Sequence, residues 1–217
     1  MHTHCRGDGA SVAFVVGGLT DAEEAAARAL GYAPVDGGFG RSFPAPGPYV
    51  ERIYRNFTVH VEELLRQKAG DLPVPWERTL EMLLQLVGGR SLNWLLVGSA
   101  ALAARGLDVM PGDVDMVVHA GTKELEAALL DYAIEPTVPV GWRAGWVTGH
   151  AFVHASVTWI GPSDGRADSP EAGGNALEIV AWRGHALPVQ PLGTALRDNE
   201  WRGREERVAL IRHAMRR

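Results

Sequence analysis

Asp113 and Asp115 are separated by one apolar residue in the run Gly112 to Val118, "GDVDMVV". On an extended chain, side chains two residues apart point to the same face, about 7 Å from each other. Two carboxylates held so close repel each other and resist burial. A hard divalent cation such as Mg²⁺ relieves that repulsion, because it prefers carboxylate oxygens. A metal held this way neutralises triphosphate charge and activates an attacking oxygen. Upstream, Gly98 and Ser99 stand where the apolar run "NWLLV" meets the small-residue run "AALAA". Glycine there lets the backbone approach a ligand, a helix start offers unpaired N–H groups to phosphate, and Ser99 adds a hydroxyl. Each piece also has a plain structural explanation. "PGD" is a turn that Asp113 can cap, Asp115 can sit solvated at a strand end, and Gly-Ser after a strand is usually a turn. The combination of strand, Gly-Ser, helix, short loop and strand with D-x-D is far more specific than any of its parts.

The elements that must hold these residues follow from periodicity and punctuation. "SVAFVVGG" is a short apolar run rich in β-branched residues. "LTDAEEAAARALGY" is a helix with Thr20 as N-cap and Glu23 at the capping-box spacing. "APVDGGFGRSFPAPGP" is dense in Gly and Pro and is expected to be turns and irregular connection. The segment from Val50 has helical spacing, with Ile53, Phe57, Val61 and Leu64 on one stripe, and a second helix begins near Pro75. From residue 93 strands and helices alternate. "WVTGHAFVHASVTWIG" is expected to contain one long strand, "SDGRADSPEAGG" to be a surface loop, and "ALEIVAWRGHALPVQ" to be a hairpin about Arg183-Gly184. Helices close the chain. The expected fold class is α/β (α+β): a mixed β-sheet with helices packed on it, plus a small N-terminal α+β segment. The expected boundaries are 1–48 for the N-terminal segment, 49–90 for a helical connection and 91–217 for the core.

The 217 residues suffice for a sizeable core, and 46% hydrophobic with 22% charged residues is ordinary for a globular chain. A net charge of −5 gives no electrostatic case for non-specific DNA or acidic-membrane binding. The single Cys5 excludes an intrachain disulfide and a cysteine zinc cluster, and fits a reducing, cytoplasmic setting. No apolar run approaches the ~20 residues that span a bilayer. Lys68 and Lys123 are the only lysines.

Taken together, "LLVGSAALAARG" and "GDVDMVV" resemble the nucleotidyltransferase superfamily with the DNA polymerase β-like fold, over roughly residues 80–217 and most closely over 94–118. The helix "TLEMLLQLVGG" and the tail "WRGHALPVQPLGTALRD" also sit where such proteins carry a helix and a hairpin followed by a helix. The resemblance implies that Gly98 and Ser99 hold nucleotide phosphates and that Asp113 and Asp115 hold Mg²⁺, with a two-ion site open. The implied reaction moves a nucleoside monophosphate from an NTP to an acceptor hydroxyl or phosphate and releases pyrophosphate. The acceptor class (small molecule, protein or RNA) stays open.

The chain departs from that pattern in two places. Active members supply a third carboxylate from a later strand, and the expected place here is "FVHASVTWIG", which holds no acid. Ser156 sits about where the acid belongs, and His154 is a possible base or ligand with a structural explanation beside it. Glu178, in "ALEIVAW", has the apolar-acid-apolar form and is the leading candidate for the third acid. Asp164 and Asp168 are weaker ones, lying in the loop. Just before the first aspartate stand Pro111 and Gly112, without the basic or hydroxyl residue of many relatives. Arg105 is nearby as a candidate phosphate contact, though an arginine at a helix C-terminus is also ordinary dipole matching.

Fainter signals have bland explanations beside them. The Gly-rich "VDGGFGR" with Arg41 fits a phosphate loop or a turn. His2 and His4 fit a metal site or a floppy terminus. The arginine-rich tail fits a nucleotide or RNA face or a solvated helix. Trp142, Trp146, Trp159 and Trp182 fit base stacking or core packing. Two functions then fit the residues: a Mg²⁺-dependent nucleotidyltransferase, or a catalytically degenerate relative that binds a nucleotide or a protein partner.

Overall fold

A computed structural model describes residues 1–7, 10–44, 47–164 and 177–216. The chain opens with β1 (His2–Gly7), β2 (Ser11–Gly17), α1 (Asp21–Ala29), β3 (Ala33–Val35) and β4 (Gly38–Pro44). These strands form a four-stranded antiparallel sheet in the order β1-β2-β4-β3. Thr20 and Glu23 cap α1 reciprocally, as their spacing predicts. Two expectations are corrected here. His2 and His4 lie on a paired strand, not a floppy terminus. The stretch after Tyr32 is a β3–β4 hairpin, not an irregular connection. Gly37 and Gly38 take positive φ in its turn, so the glycines that suggested irregularity are what let the chain reverse. Phe39 and Phe43 of β4 are buried against β2.

Helices α2 (Val50–Ala69) and α3 (Trp76–Val87) follow. The remainder contributes β5 (Asn93–Val97), α4 (Gly98–Ala104), β6 (Val114–Ala120), α5 (Thr122–Leu129), β7 (Ala133–Pro139), β8 (Trp146–Phe152), β9 (Ser156–Pro162), β10 (Glu178–Trp182), β11 (His185–Val189), α6 (Leu192–Trp201) and α7 (Glu205–Ala214). Seven strands make a mixed sheet in the order β10-β11-β5-β6-β9-β8-β7, flanked by helices. The architecture is mixed α/β, as expected. Strand β6 runs antiparallel to β5 and parallel to β9. The long strand expected over 146–161 is instead two antiparallel strands, β8 and β9, which reverse direction at Val153–Ala155. The turn hid the break because Val153 and Ala155 are buried and His154 between them continues the apolar-polar alternation of a strand. Strand β7 had no periodic signal of its own.

Helix α2 buries one face, Phe57, Val61, Leu64, Leu65 and Gln67, against both sheets. One core joins Phe14, Phe43 and the α2 residues Phe57, Val61 and Leu64 to Ile134 and Phe152 of the large sheet. Asn56 Nδ2 donates to Ala133 O at 2.9 Å, and Gln67 Nε2 to His154 O at 2.9 Å, which satisfies edge carbonyls of the large sheet. The opposite face packs Val114, Met116, Val118, Val157 and Trp159 against α3, α4 and α5. Alternation then sends Asp115, Ser156 and Thr158 to the α2 side.

Gly149 of β8 pairs directly with Trp159, and a Cβ there would stand 2.0 Å from the indole Cζ2. Trp159 is 2% exposed and has little room to move. Gly149→Ala is expected to cost about 1–3 kcal/mol, read as a fall of roughly 2–12 °C in thermal unfolding. An unchanged melting temperature would mean that the indole does not lie across this glycine.

Candidate functional site

The site is built on one row of the large sheet. Val97 pairs with Asp115, Asp115 with Thr158, Thr158 with His150, and His150 with Glu135. Directly paired residues share a face, so four polar side chains line up across β6, β9, β8 and β7. Gly98 follows Val97 with φ +68°, a backbone that favours glycine. A Cβ on Gly98 would stand 3.0 Å from Asp115 Oδ2. The glycine and the aspartate expected to meet are therefore in contact, and Ser99 is buried beside them.

Asp115 is partly buried, and Thr158 Oγ1 donates a hydrogen bond to its Oδ1. Burial, and then the charge of Asp113, push the Asp115 carboxyl above its ordinary value. The Thr158 bond and the cations Arg202 and Lys68 oppose that push without cancelling it. The same field acts on the α6–α7 joint. Burial and the neighbouring Arg207 and Arg202 lower Arg204, against the pull of Asp113 and Asp115. A crowded carboxylate pair thus faces cations from α2 and from the α6–α7 joint. Lys68 and Asp113 also line one small cavity with Gly112 and Ser156.

Arg105 and Glu178 lie elsewhere. Arg105 Nη1 is 2.6 Å from Glu178 Oε2, and its Nη2 donates to Gln190 O at 2.8 Å. Strands β11 and β5 stand between Glu178 and the aspartates, three strand spacings or roughly 14 Å. The "LEIV" run opens an edge strand that is exposed on both faces: Leu177 and Ile179 face water as Glu178 does, so its apolar-acid-apolar form marks no site. Asp168 lies outside the described residues. Among the described residues no group of three His, Cys, Asp or Glu side chains converges to hold a metal. Two carboxylates with nearby hydroxyls still suit Mg²⁺, which is commonly bound through one or two carboxylates plus substrate phosphates.

Sequence reasoning missed the other end of the row. Glu135 is 3% exposed, yet it binds Tyr32 Oη at 2.6 Å, Arg41 Nη1 at 2.8 Å and His150 Nδ1 at 3.1 Å. Burial raises its carboxyl, but His150, Arg41 and Tyr32 outweigh burial and hold it below the ordinary value. Burial and the Glu135 charge push the Tyr32 phenol well up. Arg41, next to the glycine turn, thus serves a buried carboxylate. An acid inside "YAIEPTV" was the available signal, and it was weak because β7 itself was not visible.

No family model matches this chain, and no curated protein matches it. Among solved structures it is similar to one from Thermotoga maritima described as a "putative nucleotidyltransferase". The two share 19% identity and a TM-score of 0.49, over 64% of this chain and 92% of that one. At that level the likeness carries no activity across. No helix among the described residues is long and apolar enough to cross a membrane.

Proposed function

We propose that this chain binds a Mg²⁺–nucleoside triphosphate at the Asp113/Asp115 pair, on a nucleotidyltransferase-like core in which no third carboxylate joins the pair among the described residues. The observation that carries this is the electrostatic pattern: a crowded, partly buried carboxylate pair beside Gly98, faced by Lys68, Arg202 and Arg204. Carboxylates suit the metal, and the cations suit phosphate oxygens. When bound, Mg²⁺ would neutralise phosphate charge and polarise the phosphoryl oxygens. Gly98 supplies room for close approach. Tyr32 and Arg41 of the N-terminal segment reach the same polar row at Glu135, and selection of any acceptor would sit on that segment.

Calorimetric titration with ATP, GTP, CTP and UTP, in Mg²⁺ and in EDTA, tests this. Binding is expected to require Mg²⁺ and to weaken with salt. Each of the single variants Lys68→Ala, Arg202→Ala and Arg204→Ala is expected to bind roughly 10–100-fold more weakly, since a charge-assisted contact contributes about 1.5–3 kcal/mol. If no nucleotide binds under either condition, the aspartate pair is not a nucleotide site and the chain's role passes to a protein partner.

A further inference from the structure

Strand β9 presents hydroxyls, not acids, to the aspartates, and one of them is connected to a base. The parallel ladder pairs Val114 with Val157 and Asp115 with Thr158, which sets Ser156 level with Asp113. Ser156 is 7% exposed and opens onto the cavity it shares with Asp113 and Lys68. Its Oγ lies 2.8 Å from His150 Nε2, and His150 Nδ1 lies 3.1 Å from Glu135 Oε2. The Glu135 carboxylate only accepts, so Nδ1 carries a hydrogen; in the neutral ring that a relay requires, Nε2 is the lone pair to which Ser156 Oγ donates. Glu135 is itself anchored by Tyr32 and Arg41 of the N-terminal segment. Hydroxyl, imidazole and orienting carboxylate are the three parts of an activated nucleophile.

We propose that Ser156 is a nucleophile that takes a nucleoside monophosphate from the triphosphate held at Asp113 and Asp115, so that the chain is its own acceptor. This rests on the nucleotide-binding function proposed above. Ser156 Oγ forms a bond to the α-phosphorus while the bond from that phosphorus to the bridging oxygen breaks. Pyrophosphate leaves with the electron pair. The serine proton moves to His150 Nε2, and Glu135 balances the imidazolium until the proton passes to pyrophosphate or water. The product is a serine phosphodiester. Lys68, Arg202 and Arg204 supply countercharge for the departing pyrophosphate.

The test incubates the full chain with Mg²⁺ and each of the four NTPs, followed by intact-mass and peptide mass spectrometry, with calorimetry on the same samples. One nucleoside monophosphate per chain is expected on the peptide carrying Ser156. It should be absent in Ser156→Ala and formed roughly 10²–10⁴-fold more slowly in His150→Gln. A second readout needs neither metal nor nucleotide: the nitrogen-15 shift of His150 Nε2 should mark an unprotonated nitrogen and move on Ser156→Ala. Wild type that binds Mg²⁺–NTP but gains no mass on Ser156 overturns self-transfer and leaves binding intact. Wild type that binds no nucleotide overturns both. An Nε2 shift indifferent to Ser156→Ala overturns the relay.

Discussion

Glu135→Ala is expected to lower the unfolding free energy by about 3–5 kcal/mol, the range for removing one partner of a buried ion pair. That is a fall of roughly 6–20 °C in thermal unfolding. Glu135 is the point where Arg41 of the small sheet and Tyr32 just before β3 meet His150 of the large sheet. Without it, the arginine loses its counter-charge, and a buried phenol and a buried imidazole nitrogen lose their acceptor. Glu135→Gln keeps the shape but not the charge and is expected to lose less. The same carboxylate predicts acid sensitivity. Its folded-state value lies below the ordinary 4.5, so its contribution is fully present above that value and is lost as pH falls through the folded one. Stability measured from pH 6 downward should therefore fall below about pH 4.5, and this component of the fall should be missing in Glu135→Gln. A melting temperature for Glu135→Ala within a degree of wild type, or an unchanged acid limb in Glu135→Gln, would show that the network contributes nothing to holding the sheets together.

The second large effect has opposite signs in two measurements. Asp113→Asn/Asp115→Asn is expected to weaken Mg²⁺–nucleotide binding by at least about 100-fold, more than a residue one contact removed from a metal typically costs. The same change is expected to leave the ligand-free protein as stable as wild type or more so. The Asp115 carboxyl lies above its ordinary value because of burial and Asp113. In its ionised form at neutral pH it therefore subtracts from stability, and the penalty disappears as pH falls below the folded value. Asparagine removes the charge and can still accept from Thr158. Functional sites are commonly kept at such a cost to stability. Calorimetry and thermal unfolding on one preparation check both halves. A variant that binds Mg²⁺–nucleotide like wild type would remove the aspartates from the site. A variant that melts well below wild type would mean that the pair is structural.

What could be read along the chain was local. The capping box at Thr20 and Glu23, the α2 stripe, the Arg183-Gly184 hairpin and the Gly98–Asp115 encounter all depend on residues near each other in sequence or on one β-α-β stretch. Their signals are spacing, periodicity and turn chemistry. The β3–β4 hairpin was obscured because its glycines look the same in an irregular loop, and β8 and β9 merged because Val153-His154-Ala155 keeps the alternation of a strand through the turn. Glu178 illustrates the limit of pattern: an acid between apolar residues marks a strand, but strand order alone decides whether it faces the site or an edge, and here two strands intervene. The polar row could not be read in advance for the same reason. Glu135, His150, Thr158 and Asp115 lie on four strands, and nothing in one strand states the register of its neighbour. Register is set by packing across the whole sheet, since slipping one residue would turn every apolar side chain of that strand out of the core. The sequence by itself determined which residues had the chemistry; the pairing of β6, β9, β8 and β7 decided which of them meet.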